Sequence, residues 1–532
     1  MASLLNIKDF GAVGDGSTDD TAAINRCFRH AFGNYYGPHG GYGDTPGPYA
    51  NREVYFPAGD YRVSSDYSAD ILGVTKSACS SHGYYYPLIE VASTDGLRST
   101  DMIYVRGSHP SVNGSYGIEV VDDTHFVLWM AQYVEDVGAG GTATKPCLQL
   151  HMVQGGHIFG AGRIATQITA TSPNCAALSL NGWGYARMEA LGISSAAGGI
   201  GLDYNWAQRD GDTVSSQSNT FRDLSIAGDD YGLTIGWGQA MCSETLWQNC
   251  YLSAPGGTGV LVKNYNALQQ TFIGGNIAQC RDYGIHVASG AAPVIIGVGF
   301  QNYQHPGKAD IYIENGVLDA YAIIGCRSES PNFFKSGPSM PYNLIACAQL
   351  GATPGFFYSG VGPANLIGCA SEAGWVEGGG GTPLNPQGCK FQLPDWNRWY
   401  GPPIGTPRYV SLTANEQGMI VDGGVTFDNA GATGEVQYVL PVDQTELTPG
   451  VNAGRLPAGA RIRFLVLAPH DLKIKASTDS TIRLLTASPT AKGGHIQSST
   501  VGSYIELMAT DDGGYHWVTT ASTGDWKSGE AQ

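Results

Sequence analysis

From about residue 150 to 375 the chain repeats one short pattern. An apolar run meets a small or turn-tolerant residue, and a second apolar run follows. The instances begin at Phe221 (FRDLSI), Trp247 (WQNCYL), Phe272 (FIGGNI), Ile295, Ile323, Leu344 and Leu366, at steps of 26, 25, 23, 28, 21 and 22 residues. Helical repeats are longer, roughly 33–47 residues, and these pieces are too short and too rich in Gly, Ile and Val for helices. The spacing predicts coils of a parallel β-helix, each with three short strands and three turns, every strand pairing with its copy one coil on.

The third residue of each instance is Asp223, Asn249, Gly274, Gly297, Gly325, Ala346 and Gly368. All but Ala346 accept positive φ cheaply, which predicts a ladder of turns. The next residue (Leu224, Cys250, Gly275, Val298, Cys326, Cys347, Cys369) then points inward. A second strand repeats as Gly-apolar-x-apolar at Gly199, Gly232, Gly259 and Gly284. Alternation puts Leu233, Ile235, Ile285 and Val287 in the core, and Thr234, His286 and Tyr312 outward on one sheet. The open end of such a stack needs covering. Residues 19–30 (DDTAAINRCFRH), behind Ser17 and Thr18, predict a short amphipathic capping helix with acids in its first turn.

Composition narrows the class. Charged residues are 14% and Gly is 75 of 532, too few charges and too much glycine for long helices or coiled coils. A net charge of −17 argues against nucleic acid and against an anionic membrane surface as partners. No apolar stretch is long enough to span a bilayer, so no membrane insertion is expected. MASLLNIKDF does not read as a signal peptide. The 11 cysteines include no C-x-x-C pair and predict mostly buried free thiols rather than a metal site.

NIKDFGAVGDGSTDDTAAI (6–24), VYFPAGDYRV (54–63) and IFGAGRIATQI (158–168) resemble the opening of the pectate-lyase-like superfamily of right-handed parallel β-helices, which includes phage tailspike depolymerases. The resemblance implies polysaccharide binding or cleavage in a groove along the helix. It also implies a homotrimer, and a place in a virion tail or outside the cell after lysis. Only five residues precede the motif, so the expectation is that either an adaptor protein attaches the chain to a virion or it is a free enzyme.

The expected fold is all-β: a right-handed parallel β-helix with an N-terminal capping helix, a small inserted β module and a C-terminal β-domain. Residues 1–64 form the cap and first strands, 65–148 the inserted module, with Asn113-Gly114 as a hairpin signal, and 149–377 the β-helix. Residues 378–407 form a linker and 408–532 a β-domain for trimerisation or carbohydrate contact.

Glycoside hydrolysis needs two carboxylates, whereas elimination needs a base and a cation near the substrate's acid. Asp229 and Asp230 resemble the aspartate pair of polygalacturonases, but that family's flanking motifs are missing. Asp230-Tyr231-Gly232 also recurs as Asp282-Tyr283-Gly284, which reads first as a turn. Asp223 falls in the turn ladder, and Glu329 and Glu372 share a register two coils apart. The segment Asp203–Ser218 lengthens one turn and offers Asp203 as a catalytic acid, with Tyr204, Trp206, Arg209 and Asp210 as substrate contacts. His286, with Arg281 nearby, is the candidate base, and Tyr312 a further contact. Tyrosines at 35–49 and 83–86 either pack the cap or stack on sugar. The reading is a depolymerase of bacterial capsule or O-antigen, with hydrolysis preferred because acids outnumber bases and neutral glycans preferred because of the charge. The alternatives are a non-catalytic glycan-binding spike and a pectate-type lyase. No cofactor is expected, and calcium would enter only for a lyase.

Overall fold

A computed structural model describes residues 4–32, 53–78, 85–129, 131, 133–153, 155–209, 212–238, 242–264, 266–290, 293–314, 321–336, 342–350, 357–358, 364–371, 384–387, 389–393, 396–400, 408–417, 424–441, 459–477, 480–485, 489–510 and 516–530. The chain divides into two compact units, Met1–Gly337 and Pro338–Gln532.

The first unit is a right-handed parallel β-helix. Its coils place strands on three faces. Face 1 includes Glu53–Phe56, His157–Gly160, Thr220–Arg222, Thr245–Gln248, Gln270–Ile273 and Val294–Ile296. Face 2 includes Gly59–Val63, Ser225–Ala227, Tyr251–Ser253 and Asn276–Ala278. Face 3 includes Leu148–His151, Ala176–Asn181, Ile200–Asn205, Tyr231–Gly238, Thr258–Asn264, Ile285–Ser289, Ile311–Ile313 and Phe334–Ser336.

Positive φ sets the corner between faces 1 and 2. Asp223, Asn249, Gly274, Gly297 and Gly325 all lie at φ 51–63°. Asn249 Nδ2 donates to Asp223 Oδ1 at 2.5 Å, so the two polar members also tie adjacent coils. Inside the corner, Leu224, Cys250, Val298 and Cys326 are buried. The core behind face 1 is an aromatic stack in register: Phe221 on Trp247 at 4.1 Å and 7°, then Phe272 at 6.0 Å and 13°. Nine cysteines, Cys27, Cys147, Cys175, Cys242, Cys250, Cys280, Cys326, Cys347 and Cys369, are free and buried.

The capping helix runs Thr21–Phe32, two residues later than its acids suggest. Asp19 and Asp20 therefore precede it and act on backbone instead. Asp19 accepts from the Thr21 N–H, and buried Asp20 accepts from the N–H groups of Val13 and Gly14. The helix buries Ile24, Cys27, Phe28 and Phe32 at helical spacing. Phe28 meets Phe56 and Phe32 meets Trp183, which covers the open end of the stack.

Between the face 2 strand Gly59–Val63 and the face 3 strand Leu148–His151 the chain leaves to form a closed antiparallel barrel, ordered Thr142–Thr144, Ser68–Lys76, Pro87–Val91, His125–Leu128, Gly114–Val120 and Met102–Arg106. Asn113-Gly114 is not a two-residue hairpin turn. Asn113 braces a longer loop through Ser108, and Gly114 opens the next strand. A Cβ on Gly114 would lie 2.5 Å from the Trp237 ring, so close packing against face 3 requires glycine there.

In the second unit Tyr342–Ile345, Ala364–Ile367 and Leu384–Gln387 pair in parallel, as do Ala348–Gln349, Ala370–Ser371 and Cys389–Leu393. Strands thus run through much of the segment that sequence marks as a linker, because backbone pairing tolerates its prolines and glycines at a sheet edge. Beyond it, two sheets enclose Phe427, Tyr438, Phe464, Ile474 and Trp517. Ala346 carries the turn ladder here at φ 52°, and Gly368 at 62°. Ala346→Gly relieves a left-handed alanine, so the thermal midpoint should rise by the equivalent of about 1 kcal/mol. An unchanged or lower midpoint would count against the strain.

Candidate functional site

The barrel decides which sequence candidates see solvent. Strand alternation continues through Ile200–Asn205, so Ile200, Leu202 and Tyr204 point into the core. Tyr204 is fully buried, its hydroxyl bonded to Thr245 and Asn219. Trp206 is buried too and donates from Nε1 to the Trp237 carbonyl at 2.6 Å. Neither can stack on a sugar. The Arg209 side chain and Asp210 lie outside the described residues, as do Glu372 and the tyrosines at 35–49.

Asp203 does point away from the core, as Thr234 does, but the barrel sits over both, and each is 0% exposed. Asp203 Oδ2 accepts from Ser115 of the barrel at 2.6 Å and from Ser179 at 2.9 Å. Its Oδ1 accepts from Thr234 at 2.7 Å. Burial pushes its carboxyl upward, against these donors. Asp230 is held by a bidentate Arg106 of the barrel at 2.5 and 3.0 Å. Asp229 accepts from the Gly198 N–H at 2.7 Å, a turn contact. These three carboxylates are occupied in docking the barrel and shaping a turn. Asp223 belongs to the turn ladder, and Glu329 pairs with its neighbour Arg327.

The recurring Asp-Tyr-Gly explains where the face becomes available. At the first copy the acid meets Arg106. At the second copy the barrel has ended, and Asp282 faces His305 and Lys308 instead, at 3.4 and 3.8 Å. Beside it three rings gather from two coils. His286 and Tyr312 are register partners and stack at 5.0 Å and 19°, and Tyr283 lies 4.8 Å from His286 and 4.9 Å from Tyr312.

Charges surround this shelf. His286 Nε2 lies 2.8 Å from Glu314 Oε2. A carboxylate there fixes the Nε2–H tautomer and leaves Nδ1 as the proton acceptor. Burial lowers the imidazole below its usual 6.5, with Glu314 pulling the other way, so the ring is neutral near pH 7. Lys308 Nζ sits 4.5 Å over the Tyr283 ring and Lys335 Nζ 4.7 Å over Tyr312. Arg281 donates from Nε to His305 at 2.8 Å. Lys263, over the Trp237 ring at 4.8 Å, completes the group. Four cations against Asp282 and Glu314 make a locally positive site on a chain of charge −17. No cluster of metal-ligating type occurs among the described residues.

Under the shelf, Asp310 is fully buried and accepts from Asn302, Gln304 and Ser328 at 2.8, 2.6 and 2.6 Å. Burial outweighs these donors and pushes it up to about 7. Its folded value exceeds the ordinary 3.8, so between those limits the native state holds a proton that the unfolded chain has lost. This contribution to stability is complete below about pH 4 and is lost as pH rises through about 7. Asp310→Asn, which cannot titrate, should flatten the pH dependence of the unfolding midpoint over that window. An unaltered profile would contradict the assignment.

Sequence reasoning placed Asp282, His286, Arg281 and Tyr312 near one another. It missed Glu314, Lys308, Lys335, Lys263 and Tyr283. One signal was available: carrying the His286–Tyr312 step one more coil reaches Lys335, its register partner.

Comparison with known proteins bears on the start of the chain. The model of the family described as rhamnogalacturonase A/epimerase, pectate lyase-like matches residues 4–73. Those residues hold the cap and first strands and none of the shelf. A mannuronan C5-epimerase of Azotobacter vinelandii (AlgE3) is 48% identical over 59 residues, 11% of this chain and 2% of that protein. A probable glucan endo-1,3-β-glucosidase of Arthroderma benhamiae is 48% identical over 59 residues, 11% of this chain and 6% of its own. The chain thus spans a few per cent of these relatives. Among solved structures, ORF18 of Geobacillus virus E2 has a TM-score of 0.42 and 14% identity, covering 97% of this chain and 76% of its own. Tailspike protein 2 of Escherichia coli O157:H7 bacteriophage CAB120 has a TM-score of 0.40 and 12% identity, covering 100% and 63%.

Proposed function

We propose that this protein cleaves an acidic polysaccharide on the Tyr283–His286–Tyr312 shelf, by elimination. The observation that carries the reading is geometric: His286 stacks with Tyr283 and Tyr312, its Nε2 lies 2.8 Å from Glu314, and Lys308 and Lys335 sit over the two tyrosine rings. Elimination at a uronate needs a base for the proton beside the carboxylate and cations to hold the charge that develops. His286 Nδ1, its tautomer fixed by Glu314, takes the C5 proton; the C4–O glycosidic bond breaks as the C4=C5 double bond forms, and the leaving oxygen takes a proton from water. Lys308 and Lys335 neutralise the uronate, and the rings supply apolar surface for a sugar face. The local charge reverses the preference for neutral glycans drawn from the net −17. The family description and the relatives' names are those of polysaccharide-acting proteins, which supports a polysaccharide substrate; mannuronan is an acidic glycan and glucan a neutral one, so the acidic class rests on the lysines of the shelf.

A second reading, hydrolysis, draws on Asp282 and Glu314 as two carboxylates beside one shelf. A tailspike-like homotrimer, attached to a virion through an adaptor, remains the proposed setting. The deciding experiment is incubation with polygalacturonate, alginate and hyaluronan, following absorbance of the unsaturated product and new reducing ends together. Both signals together support elimination, and reducing ends alone support hydrolysis. Binding without either signal leaves a glycan-binding spike.

A further inference from the structure

The outward positions of face 3 form one continuous column. In register, coil after coil, they are Asp203, Thr234, Leu261, His286, Tyr312 and Lys335. The first three lie beneath the barrel, at 0%, 0% and 5% exposure. Leu261 and Trp237 belong to the barrel's own apolar cluster, and Ala288, on the strand of His286, packs against it. His286 is the first member of the run to regain solvent, its side chain 18% exposed.

Register partners on neighbouring coils lie roughly 4.8 Å apart. That is close to the advance of one sugar along an extended glycan. The barrel is therefore a wall one step from the imidazole, standing across the column. It is firmly held there. Arg106 grips Asp230, Ser115 grips Asp203, and the Ser115 carbonyl accepts from Asn205. At its foot Lys263 sits over Trp237, and its charge reaches Glu314.

We infer that the barrel makes this an end-acting site: a glycan laid along the column stops against the wall with one chain terminus there. The bond over His286 is then the first or second from that terminus, and the products are mono- and disaccharides. The inference rests on the proposed cleavage at the His286 shelf and adds its mode of attack. Without the wall the column would run on past His286 and admit chain interiors.

The test sizes the earliest products of the intact protein acting on whichever of the three polymers it cleaves. Mono- and disaccharides from the first turnovers, while the remaining polymer keeps its length and viscosity, are expected. A ladder of intermediate lengths with a rapid fall in viscosity overturns the end-acting mode and leaves cleavage standing. No product from any polymer overturns the proposed function and this inference with it.

Discussion

His286→Ala and His286→Gln should lower the cleavage rate by about 100- to 10,000-fold, the range for loss of a general base. The side chain is 18% exposed and stacks with Tyr283 and Tyr312, so the thermal midpoint should fall by the equivalent of about 1 kcal/mol, far less than the loss in rate. In the wild type, the imidazole must be neutral to act. Burial holds it below 6.5, so the rate should be flat near neutrality and fall only at more acid pH. Glu314→Gln should shift that acid limb, because its carboxylate favours the protonated ring, and should cost less in rate than loss of His286. A raised KM with unchanged kcat in the His286 variants would sink the assignment and leave a binding role alone.

Asp203→Ala should destabilise the fold by about 3 kcal/mol or more. The carboxylate accepts three buried hydroxyls, one of them from the barrel, and truncation strands all three. Asp203→Asn should cost less, since an amide keeps the shape and hydroxyls can rotate to accept from it. The signature is a lower unfolding midpoint with near-normal rate per folded molecule, the reverse of His286. A rate loss in Asp203→Asn as deep as in His286→Ala, at unchanged midpoint, would return Asp203 to the chemistry.

These contrasting residues show where sequence runs short. The left-handed corner and the inward columns were legible because each depends on its own coil: Asn249 or Gly274 adopts positive φ whatever lies far off in sequence. The pairing of His286 with Tyr312 was legible for the same reason, through the coil length. What alternation cannot report is whether an outward face stays outward. Asp203, Thr234 and His286 occupy one register, yet a segment inserted far earlier covers the first two and leaves the third. Tyr204 and Trp206 failed as sugar contacts on a smaller point. The strand runs to Asn205, so alternation turns Tyr204 inward before the excursion begins.

The corner turns also have a practical side. At Gly274, Gly297 and Gly325 an added Cβ would meet nothing within 4 Å, so a substituted side chain would encounter only backbone preference. Asparagine or a labelled cysteine at pairs of these sites would project from one edge, spaced by whole coils at roughly 4.8 Å each. The edge is a built-in ruler, on which spectroscopic probes could gauge whether the solenoid stretches or bends when glycan is loaded.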